Sequence, residues 1–394
     1  MEPIMSRLAR RITESSPKNY GMFAKALACG GDRDLIHLEL GQPVHDTPTH
    51  IKEAVVAALR AGHVHYSDLR GNAELRTALA DKLRTQNNIP TTPEQILITN
   101  GLTQASFAAL FATINPGDEV ILLEPFYPQH IGKIELAGGV VVRAPLDRAA
   151  GYALNPTLIE PHITPRTRAI IVVNPCNPTG RVYSHAELSA LSMLAIRHDL
   201  LVISDEVYEH IIFDDAQHIS IASLPGMAGR TITLSAFTKA YAMDGWRLGY
   251  ACAPADLIAG MMTVTANEVT HVNTFIQYGG LAAVTGDEGP LRSMLAEDRR
   301  RRDRVVAVLN QCPGVTCALP QGAIYAFPDI SGTGQTAQAL ADALLEREGV
   351  VVEAGSFYGA AGEGHLRICF GAESAERLEV ALTRMQHFFN TLQP

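Results

Sequence analysis

Lys239 is the residue of this chain best suited to covalent chemistry. It stands in Ser235-Ala236-Phe237-Thr238-Lys239-Ala240-Tyr241, just past the apolar run Thr231–Leu234, and Arg247 follows eight residues on. Phe237, Thr238, Ala240 and Tyr241 give it little charged company, so folding can strip it of water. Desolvation lowers an amine's pKa and frees its lone pair to attack a carbonyl, which is the chemistry of a Schiff base. A solvated surface lysine is the alternative. Asp205 ends a second apolar run, Leu200–Ile203. A carboxylate there can pair with a protonated ring nitrogen or, more simply, cap a helix. Gly101, Leu102 and Thr103 fall between a strand-like and a helical stretch. Free backbone N–H groups and the helix dipole can bind a phosphate at such a junction, with Arg247 as a charged, two-pronged clamp.

Those residues do not stand alone. In order, the chain shows Leu40-Gly41-Gln42-Pro43, Tyr66-Ser67-Asp68-Leu69-Arg70-Gly71, Asn100-Gly101-Leu102-Thr103, and Glu124-Pro125-Phe126-Tyr127-Pro128. Asn174-Pro175-Cys176-Asn177-Pro178-Thr179-Gly180, Ser204-Asp205-Glu206-Val207-Tyr208 and His365-Leu366-Arg367-Ile368 follow. With the lysine stretch Ser235–Gly249, this series resembles the class I/II aminotransferases, fold-type-I enzymes dependent on pyridoxal 5′-phosphate (PLP). The resemblance spans nearly the whole chain. It implies an α/β fold with a large domain built on a mostly parallel seven-stranded sheet and a smaller α+β domain. It also implies that an L-amino acid passes its amino group to a 2-oxo acid through a Schiff base on Lys239 and pyridoxamine phosphate. β-Elimination at a C–S bond and carbon–carbon bond formation use the same scaffold. A non-enzymatic regulator that kept the fold would need an added DNA-binding segment, and about 40 residues precede the first motif.

Residue by residue, the resemblance places Asp205 on the pyridine nitrogen, Tyr208 and Asn177 on the phenolic oxygen, and Tyr127 flat against the ring. Gly101, Leu102, Thr103 and Arg247 would hold the phosphate, joined by Tyr66 reaching across a homodimer interface; Asn273 is a further candidate from the partner. Gly41, Asn177 and Arg367 would contact the substrate, with Arg367 clamping its α-carboxylate. Two places depart from relatives. Ala236 stands where many have Ser or Gly, leaving Ser235 or Thr238 to supply the hydroxyl. The stretch Ala266–Asn273, near which dicarboxylate-specific relatives place an arginine, has Glu268 and His271 instead. That disfavours a dedicated aspartate enzyme; Glu268 either faces a basic substrate side chain or is an exposed helix glutamate.

Positioning these groups requires a frame. Short apolar runs at Ile96–Thr99, Val120–Leu123, Val140–Val142, Ala169–Val173, Leu200–Ser204, Thr231–Leu234 and Leu248–Cys252 read as buried strands. Helical patterns at Gln104–Ile114, Gln129–Leu136 and Ser184–Arg197 separate them, giving a βαβ succession. From residue 289 the pattern changes to a charged helix, Gly289–Asn310, then strand-like Val315–Ala318 and Tyr325–Ile330, a helix Thr336–Arg347, strand-like Val350–Glu353 and His365–Phe370, and a helix from Ser374. The expected division is an N-terminal arm and part of the small domain at 1–48, a PLP-binding domain at 49–288, and the rest of the small domain at 289–394. The run Arg299–Arg302 reads as a solvated helix face, and Ser331-Gly-Thr-Gly334 as a turn before a helix.

Composition narrows the classes. The 394 residues carry 32 Lys and Arg against 41 Asp and Glu, a net charge of −9, the wrong sign for a broad grip on nucleic acid or anionic lipid. With 47% hydrophobic residues and 19% charged, the chain can bury a large core. Six cysteines without a CxxC pair argue against disulfides or a zinc knuckle and fit a cytoplasmic protein. No apolar run approaches the roughly 20 residues that span a bilayer. Arg7, Arg10, Arg11 and Lys18 resemble a transit peptide, but Glu2 and Glu14 interrupt them and a structural arm is expected. His63 and His65 form half a metal site that nothing nearby completes, so no metal is expected.

Overall fold

The structure, a computed structural model, describes residues 8–13, 21–29 and 33–392. Arg7, Lys18, Glu2 and Glu14 lie outside the described residues; Arg10 and Arg11 stand in a short helix, Arg10–Thr13. After a two-residue strand β1 (Ile36–His37), the seven apolar runs become β2 (Ile96–Thr99), β3 (Glu119–Glu124), β4 (Val140–Pro145), β5 (Thr167–Val173), β6 (Leu201–Asp205), β7 (Thr231–Ala236) and β8 (Gly249–Cys252). They form one sheet in the order β2-β8-β7-β6-β5-β3-β4. Only β8 runs against its neighbours. Period-two alternation explains why both faces are apolar. Ile121, Ile170 and Val202 enter one core with Leu188 and Leu191 of helix His185–Arg197, while Val120, Ile171 and Ile203 enter another with Ala105 and Ala109 of helix Gly101–Thr113.

The topology fixes where function can sit. β2, β3, β5, β6 and β7 all end on one edge of the sheet, and in register Val173 lies beside Asp205, Asp205 beside Leu234, and Thr99 and Ala236 beside Gly249. Ligands of open α/β sheets bind at that carboxyl edge.

The C-terminal third joins the N-terminal segment. β1 pairs in parallel with β10 (Val350–Val351), while β9 (Tyr325–Ala326), β11 (Glu353–Ala354) and β12 (Leu366–Cys369) make a three-stranded antiparallel sheet in the order β11-β12-β9. Met22, Ile36 and Leu38 share a core with Val305, Leu309, Leu382 and Phe388, so residues far apart in sequence pack as one unit. Four expectations need correction. Val315–Ala318 is no strand, since only Thr316 bridges to Asp329, and Tyr325–Ile330 pairs as a strand only at Tyr325–Ala326. Val350–Glu353 divides between β10 and β11, which serve different sheets. The arginine run is not a solvated face: Arg299 and Arg300 are exposed, but Arg301 and Arg302 are buried. Arg302, 1% exposed, lies 4.6 Å over the Phe213 ring and donates to Asp214 Oδ2 at 2.7 Å and to the Pro320 carbonyl at 3.0 Å. A planar, weakly hydrated guanidinium tolerates such burial when its donors are met. No helix among the described residues is long and apolar enough to cross a membrane.

Candidate active site

Lys239 comes three residues after β7 and is half-buried. Nζ lies 5.9 Å from the Tyr208 ring centre and donates to the Gly41 carbonyl. Burial pushes its pKa down to about 8, so about a tenth of the amines carry a free lone pair at pH 7. Asp205, the last residue of β6, is buried with one hydrogen bond, from the Val207 N–H at 3.2 Å. Burial pushes its pKa up to about 6. A carboxylate this sparsely bonded is ready for a cationic partner.

A second cradle lies along the same edge. Helix Gly101–Thr113 starts at Gly101, and the Asn100 side chain does not cap it, which leaves first-turn N–H groups for an anion. Gly101 adopts φ +79°, and a Cβ there would lie 2.6 Å from Arg247 Nη2, so only glycine lets the guanidinium approach. Arg247 is itself held at φ +52° and donates to the Asp244 carbonyl at 2.7 Å. The structure thus brings Gly101, Leu102 and Arg247 together, with Thr103 exposed at the helix start. It also answers the Ala236 question in part. Ser235 directs its hydroxyl away, to Glu209 Oε1 at 3.1 Å, leaving Thr238 as the candidate.

The third part is cationic. Arg367 of β12 is buried, its guanidinium 4.5 Å from the Tyr325 ring and 5.1 Å from that of Tyr358. It donates to the Glu39 carbonyl and, at 3.4 Å, to Asn177 Oδ1, while its Nε has no partner among the described residues. Gly41 packs so closely on Tyr325 that a Cβ would meet the hydroxyl. Tyr208 and Tyr325 share a hydrogen bond at 2.7 Å between their hydroxyls. Tyr127 sets its ring edge-on to His130, 5.6 Å between centres, and burial pushes its phenol up to about 12. Tyr66 is set apart from the rest: 88% exposed, it touches His271 edge-on at 4.4 Å. Asn273 is an exposed residue preceding helix Thr274–Thr285. Glu268, the exposed last residue of helix Ala255–Glu268, accepts from Gln104 Nε2 at 3.2 Å.

Sequence reasoning missed His130, Lys133, Tyr325 and Tyr358. His130 and Lys133 had a legible signal, since they stand on the same helical face as buried Ile134. A trio of possible metal ligands, Glu206, Glu209 and His218, also gathers here. Ser204 and Ser220 already serve Glu206, and Lys82 Nζ sits 2.5 Å from Glu209 Oε2, so protein groups meet those charges. His63 stacks on Tyr278 at 4.4 Å.

A partly neutral amine, a buried carboxylate with a single hydrogen bond and an anion cradle on one rim match a molecule that combines an aldehyde, a basic ring nitrogen and a phosphate. PLP is such a molecule, and the fold and site define a PLP-dependent enzyme of fold type I. The chain belongs to the aminotransferase class I and II family, whose model matches residues 33–385. It is 41% identical over 359 residues to an aspartate aminotransferase of Pyrococcus abyssi, covering 90% of this chain and 92% of the relative. To an aspartate/prephenate aminotransferase of Cereibacter sphaeroides it is 40% identical over 377 residues, 93% of each chain. The solved Thermus thermophilus aspartate aminotransferase with maleate superposes with a TM-score of 0.90 at 37% identity, covering 97% of this chain and all of that one. The protein is accordingly a PLP-dependent aminotransferase.

Proposed function

We propose that the chain performs transamination with the residues the sequence singled out, in a homodimer whose protomers complete each other's sites. Bound PLP supplies the aldehyde that captures an amino group and the ring that delocalises the charge left when the α-proton departs. Lys239 Nζ is the group that carries the cofactor and then takes the substrate's α-proton, for which a pKa near 8 suits neutral pH. Asp205 pairs with the ring nitrogen, Tyr127 lies against the ring, and Asn177 and Tyr208 donate to the phenolic oxygen, Tyr208 leaving Tyr325 to do so. Gly101, Leu102, Thr103 and Arg247 take the phosphate. Tyr66, too exposed to serve its own protomer, reaches its partner's phosphate. Gly41, Asn177 and Arg367 line the substrate, and Arg367 grips the α-carboxylate, fixing which bond at Cα faces Lys239. The same reading takes 49–288 as the cofactor domain, 1–48 with 289–394 as the small one, and the cytoplasm as the site of action.

One observation carries this reading: along one rim Asp205 and Arg367 are buried and Lys239 is half-buried, their bonding capacity unfilled among the described residues. The test is the half-reaction. Mixed with a single amino acid, the PLP enzyme should yield pyridoxamine phosphate and one equivalent of 2-oxo acid, detected by absorbance. Pyruvate and ammonia released catalytically would instead mark β-elimination. A donor panel with pyruvate and 2-oxoglutarate as acceptors then defines the substrates.

A further inference from the structure

Helix Gln129–Leu136 sends two polar side chains into the interior, one turn apart. His130 and Lys133 are 1% and 7% exposed. His130 Nε2 lies 3.8 Å from Asp205 Oδ2, beyond hydrogen-bond reach, and neither ring nitrogen has a hydrogen-bond partner among the described residues. Burial, and after it the Lys133 charge, hold this imidazole neutral. It brings no charge to Asp205.

Lys133 does. Its ammonium has one hydrogen-bond partner among the described residues, the neutral Ser106 Oγ at 2.7 Å. Ser106 in turn lies 3.0 Å from the Leu102 carbonyl and 3.1 Å from that of Thr103, in the first turn of the phosphate helix. A buried ammonium is costly without a counter-charge, and the acidic group acting on Lys133 is Asp205. Reciprocally, Lys133 is the cation acting most strongly on Asp205, ahead of Lys239. Burial pushes the lysine down to about 8 and the Asp205 charge opposes that shift, so the two groups support each other's ionised forms.

We propose that Lys133 is a positioning residue for the cofactor's proton: its charge, fixed by Ser106, keeps Asp205 a carboxylate, so that the proton between Asp205 and the ring nitrogen rests on the nitrogen. This rests on the reading of Asp205 as the ring-nitrogen partner. A neutral Asp205 would leave the ring unprotonated and a poorer acceptor of electrons.

The test uses holoenzyme carrying PLP labelled with ¹⁵N in the ring, whose chemical shift separates protonated from neutral pyridine. At pH 7 the parent enzyme should show the protonated shift and Asp205→Asn the neutral one. Lys133→Met should move toward neutral pyridine, with kcat down by about tenfold for each unit of lost bias and donor KM within twofold. A parent-like shift in Lys133→Met, beside a neutral one in Asp205→Asn, overturns the proposal and leaves the Asp205 reading intact. A parent-like shift in Asp205→Asn overturns that reading and the proposal with it. Should Lys133→Met fail to fold, Lys133→Gln keeps a polar group toward Ser106 without the charge and is read in the same way.

Discussion

Asp205 and Glu206 are neighbours in the chain, both buried carboxylates, and they belong to two different kinds of interior. Asp205 faces the sheet edge with a single backbone donor. Glu206 points away and accepts from Ser204 at 2.7 Å and Ser220 at 2.8 Å, with His218 Nε2 at 3.0 Å. Beside it Glu209 takes Lys82 at 2.5 Å, Asn87 at 2.7 Å and Ser235 at 3.1 Å. Burial drives both Asp205 and Glu209 upward. For Asp205 burial prevails, whereas for Glu209 burial is outweighed by Lys82, His210 and His218 acting together, which hold the carboxyl well below the usual range. Buried polar groups are normally saturated, and each unsatisfied one costs about 1–3 kcal/mol. Saturation therefore separates scaffold from site within a few residues at the end of β6.

The contrast can be broken by substitution, beginning on the site side. Lys239→Ala should abolish the visible absorbance of lysine-bound cofactor after dialysis and cut turnover by at least about 10²–10⁴-fold, the share proton transfer alone supplies; retained turnover would move the base elsewhere. On the scaffold side, Glu209→Ala strands Lys82 as a buried unpaired charge. Denaturant unfolding should show a loss of about 3–5 kcal/mol, with kcat per loaded site preserved. The sign with pH follows from the depressed pKa. The Glu209 contribution is present above the unfolded glutamate value, about 4.3, and disappears as pH falls through the folded one. Arg367→Ala should lower kcat/KM for α-carboxylate substrates by about 2 kcal/mol or more, and an unchanged value would displace the carboxylate site. The smallest effect is expected from Glu268→Gln, since Glu268 is exposed and bonded to Gln104. Relative rates on basic and neutral amino acids should stay the same, and a selective loss on basic ones would make Glu268 a specificity residue.

How much of this was legible in the sequence depends on how local the signal is. The seven strands are short, apolar and continuous, so β2 to β8 follow from pattern alone, and the chemistry-bearing residues stand at their ends. Contacts between distant segments left no such trace. β1 and β10 are two residues each and exist only because they pair across more than 300 residues. Tyr325 and Tyr358 look like ordinary core tyrosines until Arg367 is seen between them. Arg302 failed for a related reason, because four consecutive arginines suggest a solvated stripe, and only Phe213 and Asp214 from another segment give the third dimension. Asp205 and Glu206 illustrate the limit best, since alternation sends them to opposite sides but does not say which side is saturated.

The central claim is that the site's carboxylate is held at a cost that the cofactor repays, and the stability of Asp205→Asn with and without PLP tests it directly. The folded pKa near 6 lies above the unfolded value of about 3.9. Ionised Asp205 therefore costs the cofactor-free protein stability that is progressively lost between about pH 4 and 6 and stays lost above. At pH 8 without PLP, the variant should unfold at higher denaturant than the parent, by about 1–3 kcal/mol; with saturating PLP the order should reverse. A variant less stable than the parent in both conditions would contradict the account, because Asp205 would then be a saturated scaffold group like Glu206.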